Sequence, residues 1–451
     1  MLKYGLLLNE LEALIKSHPY KEGDKLPSIR TLSEQYGYSK STVIKAMDEL
    51  EKRHRIYSIP KSGYYVVKRT VNVEQEEPTQ IDFAGAAPDS EIFPYLDFQH
   101  CINKAIDTYK NDLFVYGTSK GLPSLIQVVH KQLANYQVFT SQSRLFIVSG
   151  VQQALSILTS LPFPNRKQTI LIEQPSYHLF IEHLTTHQIP VIGITRTAQG
   201  IDLQELETLF RTADIKFFYT MPRFQNPLGN SYSKEDKIAI VELARKYDVY
   251  IVEDDYLADL EQDSKADPLY AYDTTEHVIY LKSYSKIIFP GLRIGIAVIP
   301  EVLSDLFNRY KRLLDIDSSM LSQGALEIYL KSGMFERHKQ HISSSYGQRA
   351  RLLADTLLRY CDHLYPDLFS FTQTKQPCIH THIVLNGSIS VSKLAAQLKP
   401  HSVIIEAIDK HFLPHFPKAP ILKLNVSNVK DSAIEQGIGI MIKCLITATK
   451  A

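Results

Sequence analysis

A lysine and an arginine lie seven residues apart between two apolar runs of the chain. The stretch from Ser283 to Arg293 reads SYSKIIFPGLR and contains Lys286. Burial between strands lowers the pKa of a lysine and makes its amine a nucleophile toward aldehydes. Ser283, Ser285 and the arginine supply the hydroxyl and guanidinium groups that bind a phosphate. The stretch predicts a site for an aldehyde that carries a phosphate, although it also fits a solvated loop lysine beside a surface arginine.

Three further motifs follow apolar runs of strand length. Gly150, Val151 and Gln152 open a helix after LFIVS, where free amide groups bind a phosphate. Tyr177, in QPSY, places a ring where it can stack on a flat heterocycle, although a lone tyrosine is more often a core residue. Asn226 adds a side-chain amide in the turn QNPLG. Each motif is weak alone, and their order along the chain is what indicates one ligand site.

A carboxylate and a phenol follow the apolar run VYIV. Asp254 and Tyr256 are two positions apart, so they share a face if the segment is extended. A carboxylate beside a pyridine nitrogen keeps that nitrogen protonated, and a phenol can bind a ring oxygen. The alternative for Asp254 is a helix cap.

Strand-length apolar runs alternate with amphipathic helical stretches from residue 81 onward. This alternation predicts an α/β fold with a mostly parallel sheet and with ligands at the carboxyl ends of its strands. The predicted strands include Leu145–Val148, Thr169–Ile172, Lys216–Thr220, Val249–Val252 and Val278–Leu281, and the predicted helices include Gln152–Leu161, Tyr177–His187 and Lys234–Tyr247.

The composition is that of a soluble globular protein, with 451 residues, 44% hydrophobic and 22% charged. Residues 1–68 hold 12 Lys/Arg and 8 Asp/Glu, whereas the remainder holds 38 and 41, so the first part is basic. The four cysteines are scattered without a CxxC pair, which indicates a reducing compartment and no metal site. No apolar run approaches membrane-spanning length or a signal peptide, so we expect a cytoplasmic protein without membrane contact.

Residues 1–68 predict three helices followed by a hairpin over residues 57–67. Ser28 and Ser39 would cap the second and third helices, near residues 29–36 and 40–52, with Gly37 between them. The apolar positions expected to face inward are Leu6, Leu7, Leu11, Leu14 and Ile15 in the first helix and Val43, Ile44, Met47 and Leu50 in the third.

Two helices around a glycine turn form the helix-turn-helix layout, although a small helical dimerisation unit is an alternative. The segment Gly23–Glu51, with its LPS-x-R box, resembles the winged-helix head of the GntR family of bacterial repressors. Lys40 stands where that family usually has arginine. A lysine cannot contact guanine with the two parallel hydrogen bonds that an arginine makes. The residues expected to contact a double-stranded DNA operator are Ser28, Arg30, Ser39, Lys40, Ser41, Thr42, Lys45, Lys61 and Gly63.

The ordered motifs of residues 81–451 resemble the aspartate-aminotransferase-like, fold-type-I enzymes that depend on pyridoxal 5′-phosphate. The resemblance implies a mostly parallel sheet with helices on both faces and a smaller C-terminal α+β subdomain. It implies that Lys286 is the aldimine lysine and that Asp254 and Tyr256 join it as catalytic residues. The other implied cofactor contacts are Asn226 and Tyr256 to the ring oxygen, Tyr177 to the ring face, and Ser283, Ser285, Arg293, Gly150, Val151 and Gln152 to the phosphate.

Tyr116, in YGTSKG, matches a tyrosine that in this fold reaches the neighbouring subunit's phosphate, so the resemblance implies a homodimer. A winged-helix head over 1–68, a linker over 69–80 and this body over 81–451 resemble the MocR/GabR group of transcriptional regulators. The implied function is a DNA-binding regulator whose body senses pyridoxal phosphate, an amino acid or an amine through the aldimine. A free-standing aminotransferase with a vestigial head, and a slow bifunctional protein, remain as alternatives.

One position departs from the aminotransferase pattern. Aminotransferases of this fold carry a late arginine that binds the substrate carboxylate, and in the stretch ILKLNVS its place is taken by Lys423. A lysine offers charge without two-pronged geometry, so we expect transamination of common amino acids to be slow or absent. His380 is expected to be structural.

Overall fold

The computed structural model of the chain describes residues 3–16, 24–52, 55–59, 62–66, 80–263, 265–386 and 389–449. The chain divides into two compact units, the head (Met1–Thr79) and the body (Gln80–Ala451). The predicted linker over 69–80 lies outside the described residues except for Gln80, so the domain bounds read from the sequence stay predictions.

Three helices and a two-stranded antiparallel hairpin form the head. The hairpin strands pair with Ile59 opposite Gly63, which confirms the predicted wing, while Lys61 at its tip lies outside the described residues. The element bounds are α1 Lys3–Lys16, α2 Ile29–Tyr36, α3 Lys40–Lys52, β1 Ile56–Ile59 and β2 Gly63–Val66.

Both predicted helix caps of the head are present. The Ser28 hydroxyl accepts from the amide of Thr31 at 3.1 Å, and the Ser39 hydroxyl accepts from the amide of Thr42 at 3.3 Å. Each bond satisfies an amide that the first helical turn leaves without a partner. Gly37 ends α2 at a φ of 66°, a conformation that suits a residue without a side chain.

The core of the head corrects two sequence predictions. Leu6 and Ile44 were expected to face inward, but their side chains are 41% and 40% exposed. The inward stripe of α3 is filled by residues at helical spacing, and Ile44 follows the first of them, so it is rotated away by about 100°. The buried residues of that stripe are Val43, Ala46, Met47 and Leu50.

A seven-stranded sheet organises the body. Its strands are β4 Leu145–Val148, β5 Thr169–Gln174, β6 Val191–Thr195, β7 Ile215–Thr220, β8 Tyr250–Asp254, β9 Val278–Ser283 and β10 Gly295–Val298, and the short strand β3 Ile81–Asp82 precedes them. Their order across the sheet is β4-β10-β9-β8-β7-β5-β6. Neighbours from β6 to β9 pair in parallel, and β10 is antiparallel to both β4 and β9. The predicted mostly parallel sheet is confirmed.

Helices cover both faces of this sheet. Along β5, Ile170 and Ile172 belong to one hydrophobic core, whereas Leu171 belongs to the other. Strands buried on both faces carry nearly continuous apolar runs, which is why the sequence shows runs rather than alternation. The helices are α4 Tyr95–Tyr109, α5 Pro123–Ala134, α6 Val151–Ser160, α7 His178–Thr186, α8 Leu203–Thr212, α9 Lys234–Lys246, α10 Glu301–Leu314, α11 Met320–Lys331, α12 Met334–Leu358, α13 Val391–Leu398 and α14 Asp431–Thr449.

A smaller antiparallel sheet follows in the C-terminal part, as predicted. Its strands are β11 Phe369–Ser370, β12 His380–Leu385, β14 Glu406–Ala407 and β15 Ile421–Asn425, and β13 Val403–Ile404 pairs instead with β3. Leu353, Leu394 and Ile438, from α12, α13 and α14, share one core with Leu422 of β15. No helix in the described ranges is long and apolar enough to cross a membrane.

Candidate functional site

The predicted cofactor residues lie where strands of the large sheet end. Gly150 follows β4, Tyr177 follows β5, Asn226 follows β7 and Lys286 follows β9, while Asp254 is the last residue of β8. The strand predicted at 249–252 thus starts one residue later than its apolar run and ends two residues beyond it, at this carboxylate. These strands run in the same direction, because β10 is antiparallel to both β4 and β9 and the others pair in parallel, so their ends lie at one edge of the sheet.

The Lys286 amine is partly buried and donates to the backbone carbonyl of Ala86. Loss of hydration lowers its pKa from 10.5 to about 8. About a tenth of this amine is therefore neutral at pH 7, against less than a thousandth for an ordinary lysine. The site thus holds a lysine that can act as a nucleophile near neutral pH.

Asp254 is a buried carboxylate with one unsatisfied oxygen. Its Oδ2 accepts from the Tyr219 hydroxyl at 2.8 Å, while its Oδ1 is buried without a hydrogen-bond partner. Burial raises the pKa of Asp254 to about 7, the bond from Tyr219 opposes this rise, and the charge of Asp255 adds to it. A cationic N–H donor at Oδ1 would restore the ionised form.

The turn after β4 has the geometry of a phosphate site. Gly150 has a φ of 84°, and a Cβ there would lie 2.8 Å from Nη2 of Arg293. That Nη2 donates to the carbonyl of Ser149 at 3.0 Å. The helix that starts at Val151 presents its first amides beside this guanidinium. Glycine suits this position because a φ of 84° is strained for a residue with a side chain, and a Cβ would also make the guanidinium shift.

The strand register places the two predicted serines near the turn that follows β4. Gly295 of β10 pairs with Val148 on one side and with Ser283 on the other. The Ser283 hydroxyl accepts from the amide of Ser285 at 3.1 Å. Hydroxyl groups, a guanidinium and a helix N-terminus therefore converge on one end of the sheet.

Tyr177 immediately precedes α7, and its side chain forms a hydrogen bond with that of Gln152. Burial and the charge of Asp254 raise the pKa of Tyr177 to about 12, and the Arg293 charge opposes the rise. The aromatic ring thus lies near both the predicted nitrogen partner and the predicted phosphate cation.

The opposite side of the site contains a second buried lysine. Lys423 donates from Nζ to Oδ1 of Asn226 at 2.9 Å. Burial and the charge of Lys286 lower its pKa to about 8. Tyr256 donates to the carbonyl of Phe224 at 2.8 Å. The predicted amide and phenol therefore already have protein partners on this side.

Two other residues read from the sequence differ in their relation to this network, since His380 lies 3.3 Å from the Tyr256 hydroxyl and Tyr116 takes part in none of these contacts. His380 is buried, its Nε2 lies 3.0 Å from the carbonyl of Gln225, and burial lowers its pKa to about 3. A neutral, buried histidine fits the structural role expected of it. Tyr116 is 79% exposed, and none of the site contacts described above involves it.

Sequence reasoning missed two partners in the site. Tyr219 sits inside the apolar strand KFFYT, and Ala86 contributes only a backbone carbonyl. Neither carries a sequence signal for its role, because both contacts depend on long-range packing. In the described part of the chain, no three His, Cys, Asp or Glu side chains are grouped to hold a metal ion.

The predicted DNA surface of the head is exposed. The Arg30 side chain is 79% exposed and pairs with Glu34 at 3.0 Å. Ser28 and Ser39 face solvent beside it, as do Lys40, Ser41 and Lys45 on α3, whereas Thr42 is partly buried. Gly63 in the wing has a φ of 119°.

Comparison with known proteins found a family match for each of the two units. The body matches the aminotransferase class I and II family over residues 89–416, and the head matches the gntR family of bacterial regulatory proteins over residues 4–66. A kynurenine aminotransferase of Pyrococcus horikoshii, solved in complex with PMP, superposes with a TM-score of 0.75 at 25% identity, covering 83% of this chain and 93% of that one.

Two of the relatives are described as transcriptional or regulatory proteins. The uncharacterized HTH-type transcriptional regulator YcxD of Bacillus subtilis (strain 168) is 57% identical over 445 residues, 99% of this chain and 100% of the relative. The probable rhizopine catabolism regulatory protein MocR of Rhizobium meliloti is 24% identical over 383 residues, 78% of this chain and 77% of that protein.

The chain therefore belongs to the aminotransferase class I and II family, with a GntR-type winged-helix head. It is an HTH-type transcriptional regulator of the MocR/GabR architecture. The cofactor of its fold family is pyridoxal 5′-phosphate. The site suits this cofactor, because a buried acceptor, a nucleophilic lysine and a phosphate turn converge there.

Proposed function

We propose that the body senses pyridoxal phosphate, or an amino acid or amine that meets it there, and that the head converts this state into operator occupancy. The observation that carries the proposal is that one edge of the sheet holds both the Lys286 amine, whose pKa falls to about 8, and the buried Asp254 carboxylate, whose Oδ1 has no partner. When bound, pyridoxal phosphate supplies an aldehyde that captures amines and a ring that withdraws electrons.

Each residue then has a defined task. Lys286 would offer the amine for covalent attachment, and Oδ1 of Asp254 would accept a hydrogen bond from the protonated ring nitrogen. Tyr177 covers the ring face. The remaining assignments are Asn226 and Tyr256 at the ring oxygen, and Ser283, Ser285, Arg293, Gly150, Val151 and Gln152 at the phosphate.

The head would bind double-stranded DNA through α2, α3 and the wing. Arg30, Lys40 and Lys45 supply hydrated cations for phosphates, and the Ser41 hydroxyl is exposed beside them. The remaining proposed contacts are Ser28, Ser39, Thr42, Lys61 and Gly63.

The protein would act as a homodimer. Large apolar side chains of the body are exposed to an extent unusual for a monomer, among them Phe114 at 90%, Leu96 at 77% and Leu313 at 77%. Tyr116 lies close to Phe114 in sequence, and we assign it to the partner subunit's phosphate. A homodimer would present two heads to a symmetric operator. The free cysteines fit a reducing, cytoplasmic location.

The presence of Lys423 at the position where an aminotransferase of this fold has an arginine favours a sensor over an efficient aminotransferase. Its Nζ is already bonded to Asn226, and a lysine cannot hold a carboxylate with two parallel bonds. Amine exchange at the site would change the ligand state without rapid turnover.

The test is a selection of operator sequences from random duplex DNA with the purified protein, followed by affinity measurements with and without pyridoxal phosphate. We expect an enriched inverted or direct repeat whose affinity changes with the cofactor. Turnover of about 1–1000 per second on an amino acid, without any enriched sequence, would contradict the proposal.

A further inference from the structure

The outward face of α3 carries an apolar side chain among polar ones. Ile44 is 40% exposed, and on the same face lie Lys40 and Ser41, four and three residues earlier. Lys45 follows it and is also exposed. A branched aliphatic group is therefore bordered by two ammonium groups and a hydroxyl, while the exposed carboxylate of Asp48 lies four residues further along the same face.

An exposed isoleucine by itself is ordinary. Its position gives it meaning, because the N-terminal half of a recognition helix is the part that meets base edges. The major groove offers phosphates at its rims and hydrogen-bonding edges on its floor, and thymine adds a 5-methyl group. The two lysines can contact the phosphates at the rims of the groove, and Ile44 lies between these lysines on the helix surface.

We infer that Ile44 contacts the 5-methyl group of a thymine and thereby specifies a T·A pair at one position of each operator half-site. The inference rests on the proposed function of the head. The occupant of this apolar spot is taken to be DNA rather than protein, because Lys40 and Lys45 flank it with charge complementary to phosphates. Cytosine and guanine present no methyl group there.

The probe is the duplex enriched by selection with the wild-type protein, with its thymines replaced one at a time by uracil. This replacement removes only the 5-methyl group. One uracil position per half-site should weaken wild-type binding about fourfold, the factor that corresponds to about 0.8 kcal/mol for one buried methyl group.

The same scan on Ile44→Ala should show no loss at that position, while Ile44→Val should retain most of it. Leu6→Ala is the matched control, because Leu6 is 41% exposed on α1, and it should behave as the wild type. Thermal unfolding should show that all three variants fold.

Three results would overturn the inference. One is a wild-type scan without any uracil effect, and another is an Ile44→Ala scan that keeps the full effect. The third is uniform weakening by Ile44→Ala on every sequence, which would place Ile44 against the backbone. These results leave the regulator function intact, whereas a selection that enriches no sequence removes that function and the inference together.

Discussion

The charged residues of the head and of the body differ in their contact with water. Arg30 is 79% exposed in its side chain, and Lys40 and Lys45 face solvent. In the body, burial lowers the pKa of both Lys286 and Lys423 to about 8. Hydrated charges attract phosphates and are screened by salt, whereas dehydrated charges change protonation near neutral pH. The head should therefore respond to ionic strength and the body to pH.

The largest expected effect is a loss of function in the body that leaves DNA binding by the head unchanged. Lys286→Ala should abolish covalent retention of pyridoxal phosphate after borohydride treatment, because this amine is the attachment point. Operator affinity without cofactor should stay within about twofold at every salt concentration, because all the proposed DNA-contacting residues lie in the head. Mass spectrometry of the treated protein and an operator titration measure the two outcomes.

A label on another lysine would contradict the site assignment. Loss of operator binding in the same variant would break the distinction between head and body, because a residue buried in the body would then determine contacts of the head.

The second effect is a pH dependence confined to the body. The neutral amine is the nucleophile, and its fraction grows as pH rises toward the folded pKa of about 8. Between pH 6 and pH 8 the rate of cofactor attachment should therefore rise about 50-fold, and it should level off above pH 9. Stopped-flow absorbance measures the rate, and Lys286→Ala gives the background from other lysines. A rate still rising steeply at pH 10 would mean that Lys286 has an ordinary pKa.

A smaller effect tests the geometry of the second buried lysine. Lys423→Arg should tighten the response to α-amino acids about tenfold, because a guanidinium binds a carboxylate with two parallel bonds. Lys423→Met, which removes the charge, should weaken the response. Titrating the visible spectrum of the cofactor-loaded protein with amino acids and with their decarboxylated amines measures this change. Equal responses of wild type and Lys423→Arg would mean that carboxylates do not reach Lys423.

The smallest effect belongs to the head and should appear in the salt dependence. Arg30→Ala should reduce the slope of log affinity against log salt by about 1, because one phosphate contact is lost. Lys443→Ala, an exposed lysine of α14 in the body, is the control and should leave the slope unchanged. If both variants gave the wild-type slope, Arg30 would not touch a phosphate and its bond to Glu34 would persist on DNA.

The sequence indicated which residues would lie at one edge of the sheet, because strands that run in the same direction leave the residues after them at the same edge. The apolar runs before Gly150, Tyr177 and Lys286 are long enough to identify as buried strands without a structure. What the sequence could not predict depends on contacts between distant residues. The Tyr219–Asp254 bond joins positions 35 residues apart, and nothing in either strand indicates it.

The error at Ile44 has a local cause. Val43 and Ile44 are adjacent and both apolar, so helical periodicity alone does not decide which of them faces the core. The structure decides it through the register of Ala46, Met47 and Leu50, which are buried with Val43.

The bond between Lys286 and the Ala86 carbonyl spans 200 residues of sequence. Ala86 lies six positions after Gln80, the first residue of the body. Asp82 fixes the intervening backbone by accepting from the amides of Ala84 and Gly85 at 2.8 and 2.9 Å. If the amine leaves this carbonyl to react, the segment that ends at Ala86 loses its hydrogen bond to Lys286. Reaction of Lys286 would therefore remove a contact from the first residues of the body, which follow the predicted linker over residues 69–80.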